Sequence, residues 1–370
     1  MGLVANCEKL LLKSSILIRK NMVSLGEMKN IIRKRNLWES VELTPAQEKE
    51  IQDYYKNEFG KKIPTWWHRL YQSYLGVYCA EYFPEILLSA YLEPKLNNYR
   101  DAAFLEDKNL LEVLFCNIKE VRVPQTYGSC IHGSYRNICG QLVNKDTFCR
   151  EIENLGQCVL KKTIDTSSGR DVMLCEFTNG IDKRSNRKVV EVISEFGENF
   201  LIQEKIVQHQ QLQTLYPKSV NTFRVMSYIC DNQVKVCPTT SLRLGRNNAD
   251  RDNLHYGGIG IGIAPNGRLR KYAFSEFGEK FDTHPDTGVV FENFAIPDAN
   301  KLVTAAIALH SRVPYLGLIS WDLTFDENEN VVIIESNTSG QAAWLPQMVN
   351  GEPLFGEDTR KMLRLIRKGS

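Results

Sequence analysis

The chain has 370 residues, 43% of them hydrophobic, which is enough to bury a substantial core and suits two or three subdomains better than one compact unit. Its 46 Lys and Arg against 44 Asp and Glu leave a net charge of +2. That balance excludes the one-signed electrostatic footprint of a typical nucleic-acid binder and leaves anion binding to local sites. The ten cysteines are scattered without a C-x-x-C pair or metal-ligand spacing, so they read as reduced thiols.

The opening MGLVANCEKLLLKSSILIRK interrupts its apolar residues with Glu8, Lys9, Lys13 and Arg19, and so does not read as a signal peptide. No stretch approaches the roughly 20 apolar residues of a membrane span. Gly2 is followed by Asn6, not by the Ser or Thr that a myristoylation signal places there. The expected compartment is the cytoplasm. The basic runs at 29–35 and 360–368 read as solvated helix faces.

In chain order, residues 27–117 carry a helical pattern. Within it Thr44-Pro45-Ala46-Gln47 forms a capping box that opens a helix closing near Gly60. The aromatic stretch 66–92 is broken by Gly76 and Pro84 and reads as short packed helices, with Trp66, Trp67, His68, Tyr71 and Tyr74 structural. Asp107 is placed to cap a helix over DKNLLEVLF. Strand signals follow: CVLKKTI, VMLCEF, FLIQEKIV, TFRVMSYI, VKVCPTTSLRL, GIGIGIAP, LISWDLTF and VVIIES, with a helix over 297–311. The expected fold class is α+β with mainly antiparallel sheets.

Three constellations and a hinge carry chemistry. In ISWDLTFDENENVVIIESN, two strands are joined by a turn; Asp322 lies on the first, and Glu335 and Asn337 share one face of the second. A register that brings Asp322 beside them makes an oxygen-donor set suited to magnesium bridging nucleotide phosphates, while an internal salt bridge explains the same acids equally well. In CVLKKTIDTSSGRDVML, a strand ends in Lys161 and Lys162 before the small-residue loop Thr166, Ser167, Ser168 and Gly169. Its backbone N–H groups and Lys161 suit phosphate, although an ordinary hairpin looks similar and no Walker A pattern is present. In NTFRVMSYI and SLRLGRNNADRDNLHYGG, Arg224 and Arg243 lie in strands ahead of Asn253, either as forks for an anion or as edge residues. Gln203, Glu204, Lys205 and Ile206 end a strand in a hinge fit to present backbone groups to an adenine edge.

The order of these pieces resembles the ATP-grasp superfamily, and NTFR, SLRLGR, NLHYGG, HPDTG, ISWDLTF and IIESN resemble its sugar-transfer-associated branch found among polysaccharide-biosynthesis proteins. The resemblance implies an ATP-grasp fold: two α/β subdomains gripping ATP, preceded by a helical region. The expected division is a helical accessory region over 1–105, a pre-grasp and lid segment over 106–205, and a catalytic subdomain over 206–370. It implies that Lys108 and Lys161 contact ATP phosphates, with Ser167, Ser168 and Gly169 in the covering loop and residues 203–206 at the adenine. Arg224, Arg243 and Asn253 would face the transferring phosphoryl group, and Asp322, Glu335 and Asn337 would hold two Mg²⁺ ions. The single glycine in the loop, Lys162 in place of a common proline and Ser320 in place of glycine depart from the pattern.

The activity so implied is a carboxylate–amine ligase acting through an acyl-phosphate, on small-molecule or glycan-linked substrates such as a sugar acid, amino sugar or amino acid. A phosphotransferase on the same fold and a non-catalytic scaffold in a glycan assembly complex are the alternatives. The loop DTHPDTG is expected to line the pocket, with His284 either participating or holding the turn.

Overall fold

The computed structural model describes residues 2–163 and 172–367. The helical region begins with a long helix, Gly2–Arg33. The helix Pro45–Glu58 opens on the expected box: Gln47 N–H donates to Thr44 Oγ1 at 3.2 Å, and Thr44 N–H donates to Gln47 Oε1 at 2.9 Å. It stops before Gly60, whose φ of +92° suits glycine. His68 is buried against the Ala80 carbonyl at 3.2 Å, and desolvation lowers its pKa to about 4, so it is neutral and structural. Asp107 does not cap the next helix. That helix spans Leu110–Phe115, and Asp107 Oδ1 instead accepts from Asn109 N–H at 3.0 Å, closing a local turn one step earlier.

The first sheet contains β1 (Thr126–Ile131), β2 (Ser134–Asn137), β3 (Leu142–Val143), β4 (Gly156–Lys162), β5 (Val172–Thr178), β6 (Ile181–Asp182), β7 (Arg187–Lys188) and β8 (Phe200–Glu204), in spatial order β3-β2-β1-β8-β4-β5-β6-β7. One face packs through Leu160, Phe200 and Ile202 against helices Lys145–Ile152 and Val189–Phe196. The second sheet contains β9 (Thr222–Cys230), β10 (Gln233–Val236), β11 (Ser241–Leu244), β12 (Ile259–Ile263), β13 (Leu269–Ser275), β14 (Lys280–Phe281), β15 (Leu318–Phe325) and β16 (Val331–Asn337). Its order is β14-β13-β12-β11-β9-β15-β16, with β10 paired to β9. Every ladder between these strands is antiparallel, so the α+β expectation holds.

The second sheet is covered unequally, and this positions the site. Phe223, Val225, Trp321 and Leu323 bury one face under helix Ala299–His310. On the other face, Met226, Tyr228 and Leu318 pack under the helical layer and the C-terminal helix Thr359–Arg367. That cover stops short of Thr222, Arg224 and Asp322, which occupy the same face farther along. Alternation on β9 and β15 therefore delivers apolar residues to the covered part and polar ones to an open part.

The run GIGIGI has a packing reason. A Cβ on Gly260 would lie 2.5 Å from Leu345 Cδ1, and one on Gly262 would lie 2.4 Å from the Val349 carbonyl oxygen. Glycine at alternate positions of β12 lets helix Trp344–Asn350 sit directly on the sheet. No disulfide links the described cysteines, and no described helix is long and apolar enough to cross a membrane.

Candidate functional site

A cleft of about 660 Å³ lies between the two sheets. Its floor is the open end of β9, β11, β15 and β16. The β15–β16 register places Asp322 opposite Glu335, within side-chain reach on one face. A bulge produces that pairing. Leu323 stands opposite Ile333 and Asp322 opposite Glu335, so Ile334 is the extra residue. In an unbroken ladder Glu335 would oppose Trp321 and point into the apolar core; the bulge changes the parity and turns Glu335 and Asn337 to the cleft.

The acids of the floor are paired with cations. Asp322 Oδ1 meets Arg224 Nε at 2.7 Å, and its Oδ2 meets Arg243 Nη2 at 2.7 Å. Arg243 also donates to Thr222 Oγ1 at 2.6 and 2.9 Å and lies 3.5 Å from Asp252. Burial depresses the Arg224 pKa against the pull of Asp322, whereas Asp252 and Asp322 outweigh burial at Arg243 and raise its pKa. Burial raises the Asp252 carboxyl, and Arg243 opposes it. Glu335 Oε1 pairs with Lys108 Nζ at 3.0 Å. Lys108 bridges the halves of the cleft, because its N–H donates to the Thr163 carbonyl at 3.1 Å, just beyond β4.

The facing wall comes from the first sheet, where cross-strand neighbours Val159, Leu174, Lys161 and Val172 share one face. Lys161 Nζ donates to Gln203 Oε1 at 3.2 Å. The residue as a whole is half-buried. Burial first, and then the charge of Lys108, lower its pKa to about 8 despite Glu335. Below pH 8 Lys161 is charged in the folded and unfolded chains, and the desolvation cost is fully present. Between about 8 and the unfolded value near 10.5 the unfolded chain binds more protons, so stability rises with pH. Urea unfolding at pH 7.5 and 9.5 should show this rise in the wild type and a smaller one in Lys161→Met; equal changes in both would assign it elsewhere.

Glu204, Lys205 and Ile206 line the cleft at the end of β8, while Gln203 is buried behind it and anchors Lys161. Glu204 is held by Arg122, and Lys205 Nζ donates to Gln157 Oε1 at 3.0 Å. Asn253 also lines the cleft, with its Oδ1 accepting from His255 N–H at 2.9 Å. Ser167, Ser168 and Gly169 lie outside the described residues.

His284 does not line the cleft. It is fully buried, 2.9 Å from the Gly245 carbonyl, and stacks on Tyr216 at 5.1 Å, so it holds the turn. Sequence reasoning missed Asp252, which receives the Thr222 N–H at 3.1 Å and orients Arg243 through Thr222. The signal was present as an acid between Arg251 and Asn253. Glu106, a cleft residue whose Oε1 accepts from Ser339 at 2.6 Å, carried no such signal.

A model of the family described as sugar-transfer associated ATP-grasp matches residues 87–362. No curated protein matches. Among solved structures the chain is similar to a biotin carboxylase complex from Campylobacter jejuni, with 16% identity and a TM-score of 0.40 over 71% of this chain and 46% of that one. An L-amino acid ligase from Bacillus licheniformis gives 10% identity and 0.39, over 70% and 48%. An N5-carboxyaminoimidazole synthetase from Staphylococcus aureus complexed with ADP gives 10% and 0.35, over 64% and 45%. The chain spans about half the length of these proteins.

Proposed function

The chain belongs to the sugar-transfer associated ATP-grasp family, and on that premise we propose that it is a carboxylate–amine ligase that forms an acyl-phosphate at the expense of ATP. The observation that carries the reading is the convergence of Asp322, Glu335 and Asn337 with Lys108, Lys161, Arg224 and Arg243 in one cleft between two sheets. The oxygen donors fit magnesium by chemistry, since hard divalent ions take carboxylate and amide oxygens. Charge also favours metal. Those four cations face the carboxylates of Asp252, Asp322 and Glu335, so nucleotide phosphates arriving without divalent ions would leave the cleft strongly negative.

Magnesium, when bound, supplies charge neutralisation for the phosphates, and we assign two ions to Asp322, Glu335 and Asn337. Lys108 and Arg224, which pair with Glu335 and Asp322, would also hold phosphate oxygens. Lys161 and Arg243 stabilise the transferring group, Asn253 offers its amide N–H, and the backbone of Glu204, Lys205 and Ile206 receives the adenine edge, with Gln203 setting the position of Lys161. A substrate carboxylate oxygen forms a bond to the γ-phosphorus as ADP leaves. The amine nitrogen then bonds to the acyl carbon, phosphate leaves, and the amine gives up a proton to solvent. The substrates we favour are a sugar acid, amino sugar or amino acid used in polysaccharide biosynthesis in the cytoplasm, with residues 106–205 and 206–370 as the two gripping subdomains.

Calorimetry of Mg-ATP binding to the wild type and Glu335→Gln, followed by ADP release with carboxylate and amine supplied singly and together, tests this. Binding should weaken sharply in the variant, and ADP release should need both substrates. Equal binding would sink the metal assignment, and release with a hydroxyl acceptor alone would make the enzyme a kinase.

A further inference from the structure

A second chamber of about 170 Å³ opens beside the nucleotide cleft and shares His255, Gly340 and Ala342 with it. His255 follows Asn253 by two residues, so the opening lies at the end of the cleft assigned to the transferring phosphoryl group. The volume is well below the roughly 300–1,000 Å³ of sites for drug-sized molecules, and suits one amino acid, one sugar ring or the end of a larger molecule. Its walls come from helix Gly2–Arg33, helix Trp66–Leu75 and Trp344, so the helical region shapes it as much as the catalytic sheets do.

Three carboxylates, Glu27, Glu85 and Glu276, face this chamber with one enclosed lysine, Lys34; the exposed Arg33 at its rim lies over the Phe277 ring. Lys34 pairs with Glu276 at 3.4 Å and lies 3.8 Å from the Trp344 ring centroid. His255 Nδ1 takes the other Glu276 oxygen at 2.6 Å. Glu276 is thus satisfied, but Glu85 is not. Glu85 is only 5% exposed, and its Oε1 accepts from Ala343 N–H at 3.1 Å and the Ser89 hydroxyl at 3.4 Å. Its Oε2 finds no hydrogen-bond partner among the described residues. Once ionised, Glu85 would leave this buried oxygen without a donor unless a ligand supplies one, and the adjoining acid Glu27 makes a cationic donor the fitting kind. The indole and aliphatic walls favour an organic cation over a hydrated metal ion.

We propose that this chamber binds the ammonium-bearing substrate, with Glu85 Oε2 receiving its N–H donors and Trp344 walling its carbon frame. The inference rests on the ligase reading and gives its amine a place. Burial, and then Glu27, push the Glu85 carboxyl up to about 8, so the arriving cation displaces a proton instead of meeting a fixed charge. The other ionisable groups that face Glu85 are Lys34, Tyr71 and Glu93.

Calorimetric titration of the full chain, with and without magnesium and β,γ-imido-ATP, tests the proposal. The probes are glucosamine against glucose, and glycinamide against acetamide. At least one ammonium probe should bind, with its neutral counterpart about tenfold weaker or more, as expected for a charged hydrogen bond. The pair that responds distinguishes an amino sugar from an amino acid. Glu85→Gln should weaken that binding by a similar factor while nucleotide binding is kept. If the buried substitution also removes nucleotide binding, Asn30→Trp decides, because Asn30 is exposed at the chamber and its replacement fills the space from outside. No ammonium binding in either condition, equal binding of the neutral probes, or wild-type binding in the deciding variant overturns the proposal. Ammonium binding in a wild type that binds no nucleotide would instead remove the ligase reading and leave the chamber standing.

Discussion

Asp322→Ala is expected to lose about 3–5 kcal/mol of stability as well as nucleotide-dependent activity, the range for breaking a buried ion pair by removing one partner. Asp322 is 3% exposed, and each of its oxygens meets a guanidinium at 2.7 Å. Without it, Arg243 keeps Asp252, but Arg224 loses the carboxylate it faces in a site where burial already depresses its pKa. Asp322→Asn should lose less, because an amide oxygen still accepts from one arginine. Urea unfolding of the three proteins checks the order. A loss in Asp322→Ala below about 0.5 kcal/mol, the range of surface substitutions, would mean that water already relaxes this pair.

Gly262→Val should cost about 3 kcal/mol, at or above the top of the usual range for overpacking. The new Cβ would stand 2.4 Å from the Val349 carbonyl oxygen and 2.9 Å from Arg270 Cδ, so backbone must move as well as side chain. The moving element is helix Trp344–Asn350, whose first residue walls the second chamber. Denaturation midpoints should therefore fall together with ammonium-probe binding. An unchanged midpoint would show that the helix has room to lift.

Much of the second sheet was legible because one face is covered throughout and the other over most of its length, so β9, β12, β15 and β16 read as apolar runs with a few polar interruptions. The interruptions were the informative part: Arg224, Arg243 and Asp322 meet because β9 lies between β11 and β15, a strand order that sequence does not declare. Helices Lys145–Ile152 and Val189–Phe196 went unread, since two turns give too few repeats to separate a helix from its flanking strands. Asp107 was over-read as a cap, and the choice for His284 between joining the site and holding the turn stayed open until the structure placed it in the turn. Each sits in a local turn whose own hydrogen bonds use the side chain, and only coordinates show which neighbour takes it. Asp252 was missed because an acid in a charged loop looks solvated until Thr222 and Arg243 close around it.

The bulge at Ile334 has a consequence for spacing. A strand that lost this residue would run straight from Ile333 to Glu335 and still set Glu335 opposite Asp322, since the regular ladder would then supply the parity that the bulge now supplies. I-I-E-S-N and I-E-S-N thus deliver the same acid to the same face. The position of the acid is counted from the core residues of the neighbouring strand, and the length of its own strand is free to vary by one.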